Sequence, residues 1–359
     1  TDFTSGYGYY GGGIYVNSGS VDIEDSSFDG NYAYYNAGGV YLNSSAKLSL
    51  TNTDFDGNFG YYGHGGGIYA GSSATVDIDG GNFESNYIYY WTSGYYGGLI
   101  YLSTSAKLTA TDATFKDNKG YYGGAVYAST SATVTTDTVT FDGNTAYYGG
   151  GVYLINTSTL TDTDSVFSDN TTTYYGAGVY LYGSSTSSYA TATLTGTEFS
   201  GNTGNYGGAI FSNQYNDISL FETLFDRNYA SHSGGAIYAY NYTDLYIKDS
   251  AFTNNTAYYN GGAVWMEYLY DTVSIVDTTF DGNKAQYGSG GAMLADYYTD
   301  LDLSGLDVTN NYAYNYGGGL YLYYYSDLAL SDSNFSGNYA DVYHGGAIYA
   351  QQVYGTLSI

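Results

Sequence analysis

The sequence predicts an all-β fold, a right-handed parallel β-helix (solenoid) with three short strands per coil and about 12–13 coils of about 27 residues. Three observations predict it. The chain repeats itself at that period, and a period of this size marks a solenoid, propeller or array. A Phe-x-x-Asn tetrapeptide recurs in register from Phe28-Asn31 to Phe335-Asn338, with Val308 the one replacement for Phe. A Gly-rich step leads in each repeat into an aliphatic-aromatic pair, from Ile14-Tyr15 to Ile348-Tyr349, with Leu294 the one non-aromatic residue in the second place.

Each element follows from the local pattern. The first strand is the Gly-Gly-Ala-Ile-Tyr-Ala type, as at 234–239. Its aliphatic residues are expected inside and its Tyr outside. The second strand alternates aliphatic and polar residues, as in Leu48/Leu50, Val76/Ile78 and Leu301/Leu303. Alternation with period two is the signature of a strand with one buried face. The third strand carries the Phe, five residues beyond the second aliphatic position in each repeat. No helical period of useful length competes. Strands this short pair with their counterparts in the next repeat, which is the geometry of a parallel β-helix. Right-handedness is expected from the general crossover rule.

Identical residues at one position of each coil stack at about 4.8 Å. An asparagine ladder is therefore expected from Asn31, Asn58, Asn86, Asn118, Asn144, Asn170, Asn202, Asn228, Asn255, Asn283, Asn311 and Asn338. A side-chain amide has both donors and an acceptor, so neighbours above and below satisfy it. An aromatic ladder is expected from Tyr15, Tyr41, Tyr69, Tyr101, Tyr127, Tyr153, Tyr180, Phe211, Tyr238, Trp265, Tyr321 and Tyr349, with Leu294 the exception. Two insertions, at 88–94 and 182–188, are expected to leave the scaffold at corners, where binding usually resides.

Composition bounds the function. The repeat makes residues 1–359 a single solenoid. There is no Cys, so neither disulfides nor thiol chemistry are available. There is no Pro, which suits continuous ladders, because Pro cannot donate to one. A net charge of −27 with one Arg makes nucleic acid an improbable partner, since phosphate binding needs Lys and Arg. Membrane insertion is not expected, because no 18-residue apolar run occurs. Thr1 begins inside a repeat and Ile359 ends inside a strand, so a longer chain or stacking of ends into a filament is expected.

Tyrosine is the compositional outlier, at 53 of 359 residues. Many occur as Tyr-Tyr pairs before the Gly step, such as Tyr9-Tyr10, Tyr34-Tyr35, Tyr61-Tyr62 and Tyr95-Tyr96. Such rings suit subunit packing, glycan stacking or oxidative cross-linking, or simply stabilise the coil stack. Weak calcium candidates are Asp29, Asp56, Asp142 and Asp281, in Phe-Asp-Gly-Asn contexts, although solvated turn carboxylates are the simpler reading. No other cofactor is expected. The three His residues, His64, His232 and His344, occupy equivalent corners and are expected to face solvent. Asn43, Asn156 and Asn241 are candidate glycosylation sites on the first corner. Glycoside hydrolysis needs two carboxylates across a cleft. Glu is rare and scattered, no acidic cluster is expected to break the repeat, and no enzyme is expected.

Gly123-Gly-Ala-Val126 with Phe141-x-x-Asn144, and Gly207-Gly-Ala-Ile210 with Phe225-x-x-Asn228, resemble the repeat pair of chlamydial polymorphic outer membrane proteins and autotransporter adhesin passengers. The resemblance covers nearly the whole chain. It implies a secreted, cell-surface β-helix with an adhesive role. The chain departs from it in lacking Cys and a β-barrel translocator segment, and in its abundance of Tyr. The expected function is a non-catalytic extracellular structural protein whose partner is itself, head-to-tail or laterally. The alternative is an adhesin binding a glycan or host surface protein; a polysaccharide-active enzyme is a distant third.

Overall fold

The computed structural model describes residues 1–90, 94–353 and 356–359. They form two compact units, Thr1–Thr173 and Tyr174–Ile359. Each unit is a right-handed parallel β-solenoid, and the chain makes about 13 turns in all. Among the described residues no helix is long and apolar enough to cross a membrane.

In the first unit the Phe-bearing sheet runs from Asp2–Thr4 to Val166–Ser168. The aliphatic-aromatic sheet runs from Ile14–Val16 to Val152–Ile155, and the alternating sheet from Ser20–Glu24 to Thr159–Thr163. Pairing is parallel and in register, with Phe28 opposite Phe55 and Ile68 opposite Ile100. The second unit repeats this arrangement, with Phe225 opposite Phe252 and Ile237 opposite Val264. A fourth strand of variable length follows the Asn in most turns and adds to the three expected. It is two residues long at Tyr32–Ala33 and five at Tyr229–Ser233.

The core is a set of columns. Phe28, Phe55, Phe83, Phe115, Phe141 and Phe167 are wholly buried in the first unit, as are Phe199, Phe225, Phe252 and Phe280 in the second. Consecutive rings stand 4.4 Å apart at Phe28–Phe55 and 4.5 Å at Phe225–Phe252. Burying each such ring is worth about 1.5–3 kcal/mol. The second aliphatic column is interrupted at Thr136 and Asp162, both buried, where the Thr136 hydroxyl donates to the Asp162 carboxylate at 2.5 Å.

The Gly step is dictated by close approach. Gly123 has a φ of +67°, and a Cβ there would collide with the Val126 carbonyl oxygen. At Gly124 a Cβ would run into the Gly150 carbonyl of the next turn. Backbone N–H groups of Gly123 and Gly124 donate to Tyr148 and Gly149, both at 3.0 Å, so the corner pairs turn to turn without a regular strand.

Candidate functional site

The polar ladder sits at the buried end of the Phe strand. Asn58 Nδ2 donates to Asn86 Oδ1 at 3.0 Å and to the Phe28 carbonyl at 2.8 Å, and its backbone N–H donates to the same Asn86 oxygen at 3.1 Å. Asn86 repeats the set onto Asn118, and Asn118 onto Asn144. In the second unit Asn228 joins Asn255, Asn255 joins Asn283, and Asn283 joins Asn311 by the same bonds. Asn31 to Asn170 and Asn202 to Asn311 are fully enclosed. Along the interior of each run, as at Asn58, Asn86, Asn118, Asn255 and Asn283, both amide hydrogens and the oxygen are used inside the protein, so this ladder is structural.

The outward aromatic column also stacks, from Tyr15–Tyr41 at 5.0 Å to Tyr127–Tyr153 at 5.2 Å in the first unit. In the second, Tyr180–Phe211 stand 5.4 Å apart and Tyr238–Trp265 4.4 Å, before Leu294 interrupts the rings. Although these side chains point away from the core, Tyr127, Tyr153, Tyr180, Phe211 and Tyr238 are buried. Corner rings lie over them: Tyr96 stacks on Tyr127 at 4.8 Å and Tyr175 on Phe211 at 4.4 Å. Burial pushes the Tyr101 phenol up to about 12 and Tyr127 higher still. Sequence alternation gives a side chain's direction, but its exposure depends on what the preceding corner supplies.

The exposed aromatic surface of the first unit lies at the corner before the Gly step. Two rows run side by side, Tyr9/Tyr34/Tyr61/Tyr89 and Tyr10/Tyr35/Tyr62/Tyr90. Within a row the rings are near parallel, as at Tyr61–Tyr89 (5.0 Å, 15°) and Tyr62–Tyr90 (4.8 Å, 1°). Between rows they meet edge to face, as at Tyr9–Tyr35 (4.7 Å, 75°) and Tyr61–Tyr90 (5.0 Å, 90°). Tyr89-Tyr90, inside the insertion at 88–94, occupies this register, while Tyr96 instead stacks on Tyr127. Residues 91–93 of that insertion lie outside the described residues. The first row and the neighbouring Tyr32/Phe59/Tyr87 stack enclose a groove of about 460 Å³ whose lining contains no charged residue.

Besides exposed rings before its own Gly steps, such as Tyr258, Tyr259 and Tyr287, the second unit carries a row of rings at a different corner. Tyr215, Tyr242, Tyr270, Tyr298 and Tyr325 stack at 4.9, 4.5, 5.6 and 5.1 Å. All five have positive φ, between 46° and 64°, a conformation costly for bulky residues. Carboxylates follow one or two residues on, at Asp217, Asp244, Asp271, Asp300 and Asp327. Asp217, Asp244 and Asp271 line a cleft of about 290 Å³ with Thr186, Tyr189, Tyr215 and Tyr242. Partial burial, reinforced by Asp217 and Asp271, pushes the Asp244 carboxyl up to about 6. The expectation that no acidic cluster breaks the repeat is thereby corrected. The signal was present as Tyr-x-Asp at 215–217, 242–244, 298–300 and 325–327.

A second carboxyl pair was also missed. Glu267 lies opposite Asp296 on adjacent strands, and Tyr238 donates its phenol proton to Glu267. Burial, then the Glu267 charge, pushes Asp296 up to about 7. Asp296 Oδ1 and the nearby Trp265 Nε1 are buried without a hydrogen-bond partner.

The other predicted residues fall as follows. Asp29 and Asp56 are adjacent, with Glu84 next in the column and Lys116 closing it 3.5 Å from Glu84. Asp142 accepts from Ser168 at 2.8 Å, and Asp281 from Thr309 and Asn310 at 2.8 Å each. The four calcium candidates are thus not brought together. Among the described residues no group of three His, Cys, Asp or Glu is placed to hold a metal. Asn43, Asn156 and Asn241 are half-buried on the first corner; Asn43 Nδ2 donates to Asn17 at 3.0 Å and Asn156 Nδ2 to Thr130 at 3.2 Å. The expectation of solvent-facing His is corrected at two of three positions. His64 is half-buried, stacks on Tyr101 at 4.6 Å, and accepts the Tyr96 N–H through Nδ1 at 3.1 Å. Burial lowers its pKa to about 4. His232, half-buried, lies 4.3 Å from the Tyr206 ring, and only His344 is exposed. The 182–188 insertion closes on itself, Ser188 N–H donating to the Ser185 carbonyl at 2.9 Å, and places Thr186 on the cleft.

The family described as Right handed beta helix region matches residues 2–139 and 124–305. The Chlamydia polymorphic membrane protein repeat matches residues 332–351. No curated protein and no solved structure matches significantly.

Proposed function

The chain belongs to the right-handed β-helix family, and we propose that it is a non-catalytic structural protein of the cell surface that associates laterally with copies of itself. One observation carries the reading: the groove lined by Tyr32, Tyr34, Phe59, Tyr61, Tyr87 and Tyr89 holds no charged side chain, on a chain of net charge −27. Copies so strongly alike in charge repel over most of their surface. An uncharged aromatic face lets two copies meet without burying carboxylates, and it offers large contact area at low entropic cost. The resemblance of residues 332–351 to a polymorphic membrane protein repeat supports placement at a cell surface.

The test is sedimentation of the wild type and of a Tyr34→Ser/Tyr61→Ser/Tyr89→Ser variant at neutral pH. Association of the wild type, lost in the variant while the far-ultraviolet β signal persists, supports the proposal. Equal sedimentation of the two proteins sinks it.

A second reading, an adhesin, is favoured by the unit-two cleft, where the insertion places Thr186 beside Tyr189, Tyr215 and Asp244. There, deletion of residues 184–188 removes binding to a glycan or host protein and leaves lateral association unchanged.

A further inference from the structure

The geometry points to the unit-one corner as a site of oxidative tyrosine cross-linking, in which Tyr61 and Tyr90 of successive turns couple into an intrachain dityrosine. This rests on the described pair itself and holds whether or not copies associate. The chain has no Cys, so a covalent staple between turns must come from other chemistry.

Three features single out the pair. The first is hydroxyl approach, with the Tyr61 and Tyr90 oxygens 3.4 Å apart. The second is ring orientation. Their planes cross at 90° with centroids 5.0 Å apart, so an edge of one ring faces the other while the hydroxyl ends converge. A biaryl bond must lie in the plane of both rings. Rotation about χ2, which is soft for aromatic side chains, can bring the two Cε atoms into line. The third is access, because Tyr90 is 39% exposed and Tyr61 is half-buried. Tyr62 and Tyr90 are closer, at 4.8 Å, but their planes differ by 1°. A bond between those faces would stand perpendicular to both rings, so this closer pair should not couple. Tyr9 and Tyr35 repeat the productive arrangement at 4.7 Å and 75°.

The chemistry balances with hydrogen peroxide as the oxidant and a haem peroxidase as its catalyst. Each phenol gives up one electron and one proton and becomes a phenoxyl radical. The radicals join through their Cε carbons. The hydrogen on each joined carbon then moves to the oxygen, which restores both rings and both hydroxyls. The two electrons and two protons convert the peroxide to two waters. The protein is left lighter by two hydrogens and cross-linked between consecutive turns.

The experiment treats dilute full-length protein with a haem peroxidase and limiting hydrogen peroxide, then follows dityrosine fluorescence and maps cross-linked peptides by mass spectrometry. The expected product is a monomer lacking two hydrogens, linked between Tyr61 and Tyr90, with a yield independent of protein concentration. Tyr61→Phe should abolish that linkage, whereas Tyr62→Phe should leave it intact. Phe is a safe substitute, since Phe59 already stands in the adjoining stack between Tyr32 and Tyr87. Dityrosine found only in covalent multimers would overturn the inference. So would an undiminished intrachain dityrosine yield involving Tyr90 in the Tyr61→Phe variant, or coupling at Tyr62–Tyr90 in preference to the edge-to-face pairs.

Discussion

The two units share the buried Phe and Asn columns and differ at their corners. At the corner between the aliphatic-aromatic and alternating strands, the first unit turns on small residues. Ser45, Ser73, Ser105 and Ser131 take the left-handed conformation there, with φ between 59° and 62°. At the same corner the second unit places Tyr242, Tyr270, Tyr298 and Tyr325, with φ between 56° and 64°. The left-handed residue stands at the same position, but the second unit sets another before it, as at Asn241-Tyr242 and Tyr297-Tyr298, and fills the position with a bulky ring. Stacking offsets the strain: Tyr242–Tyr270 rings stand 4.5 Å apart and Tyr298–Tyr325 5.1 Å. An aromatic pair contributes about 0.5–1.5 kcal/mol beyond burial, against roughly 1–3 kcal/mol of backbone strain. A lone Tyr would not hold such a corner; a row of them nearly can. The lesson is that the interior sets the path of a coil, while corner chemistry is free to vary unit by unit and is where the two acquire different surfaces.

The largest expected effect tests the shared interior. Asn58→Leu and Asn255→Leu each leave buried donors of the preceding Asn, and the carbonyl of Phe28 or Phe225, without partners. Each unmet group costs about 1–3 kcal/mol, so both variants should lose several kcal/mol in urea unfolding. Similar losses in the two units would confirm a common interior. A loss under about 1 kcal/mol in either would show that the ladder is dispensable there.

The next effect separates the units by pH. His64 in the first unit has its pKa lowered to about 4 by burial. A lowered folded value means stability is fully present above the ordinary His value of about 6.5 and is lost as pH falls toward 4. Asp296 in the second unit has its pKa raised to about 7 by burial and by Glu267. Its contribution runs the other way: stability is fully present below about 4 and is lost as pH rises through 7. Hydrogen exchange at the Asn58 and Asn255 backbone amides should therefore show opposite pH trends, once compared with His64→Phe and Asp296→Asn. Asp296→Asn should stabilise the second unit at pH 8 by roughly 1 kcal/mol, after allowing for solvent screening, and hardly at all at pH 4. Parallel trends in the two units would refute these assignments.

The smallest effect probes the corner itself. Tyr242→Asn exchanges a strained aromatic for a residue that accepts positive φ, at the loss of stacking on Tyr215 and Tyr270. The two terms nearly cancel, so the melting temperature should move by only a few degrees. A large fall would mean that the Tyr row supports the second unit; a clear rise would mean that the row is kept at a cost to stability.

The interior was legible in the sequence because its positions are strictly periodic and each is decided by its own column. Phe55, Asn58 and Ile68 recur with counterparts above and below, and one buried amide or ring dictates the next through register. The Gly step was legible for the same reason, since every turn must pass its neighbour closely. The tertiary structure alone decided which outward residues meet water. Tyr127 points out yet is buried by Tyr96, His64 is desolvated by the rings of Tyr96 and Tyr101, and Asp296 is coupled to a carboxylate 29 residues away, at Glu267. Such facts depend on where side chains of adjacent turns lie across a corner, and corners vary in length and rotamer without changing the repeat. Periodicity determines the ladder that a residue joins; contacts between turns determine its solvation, its proton affinity and its reach toward other chemistry.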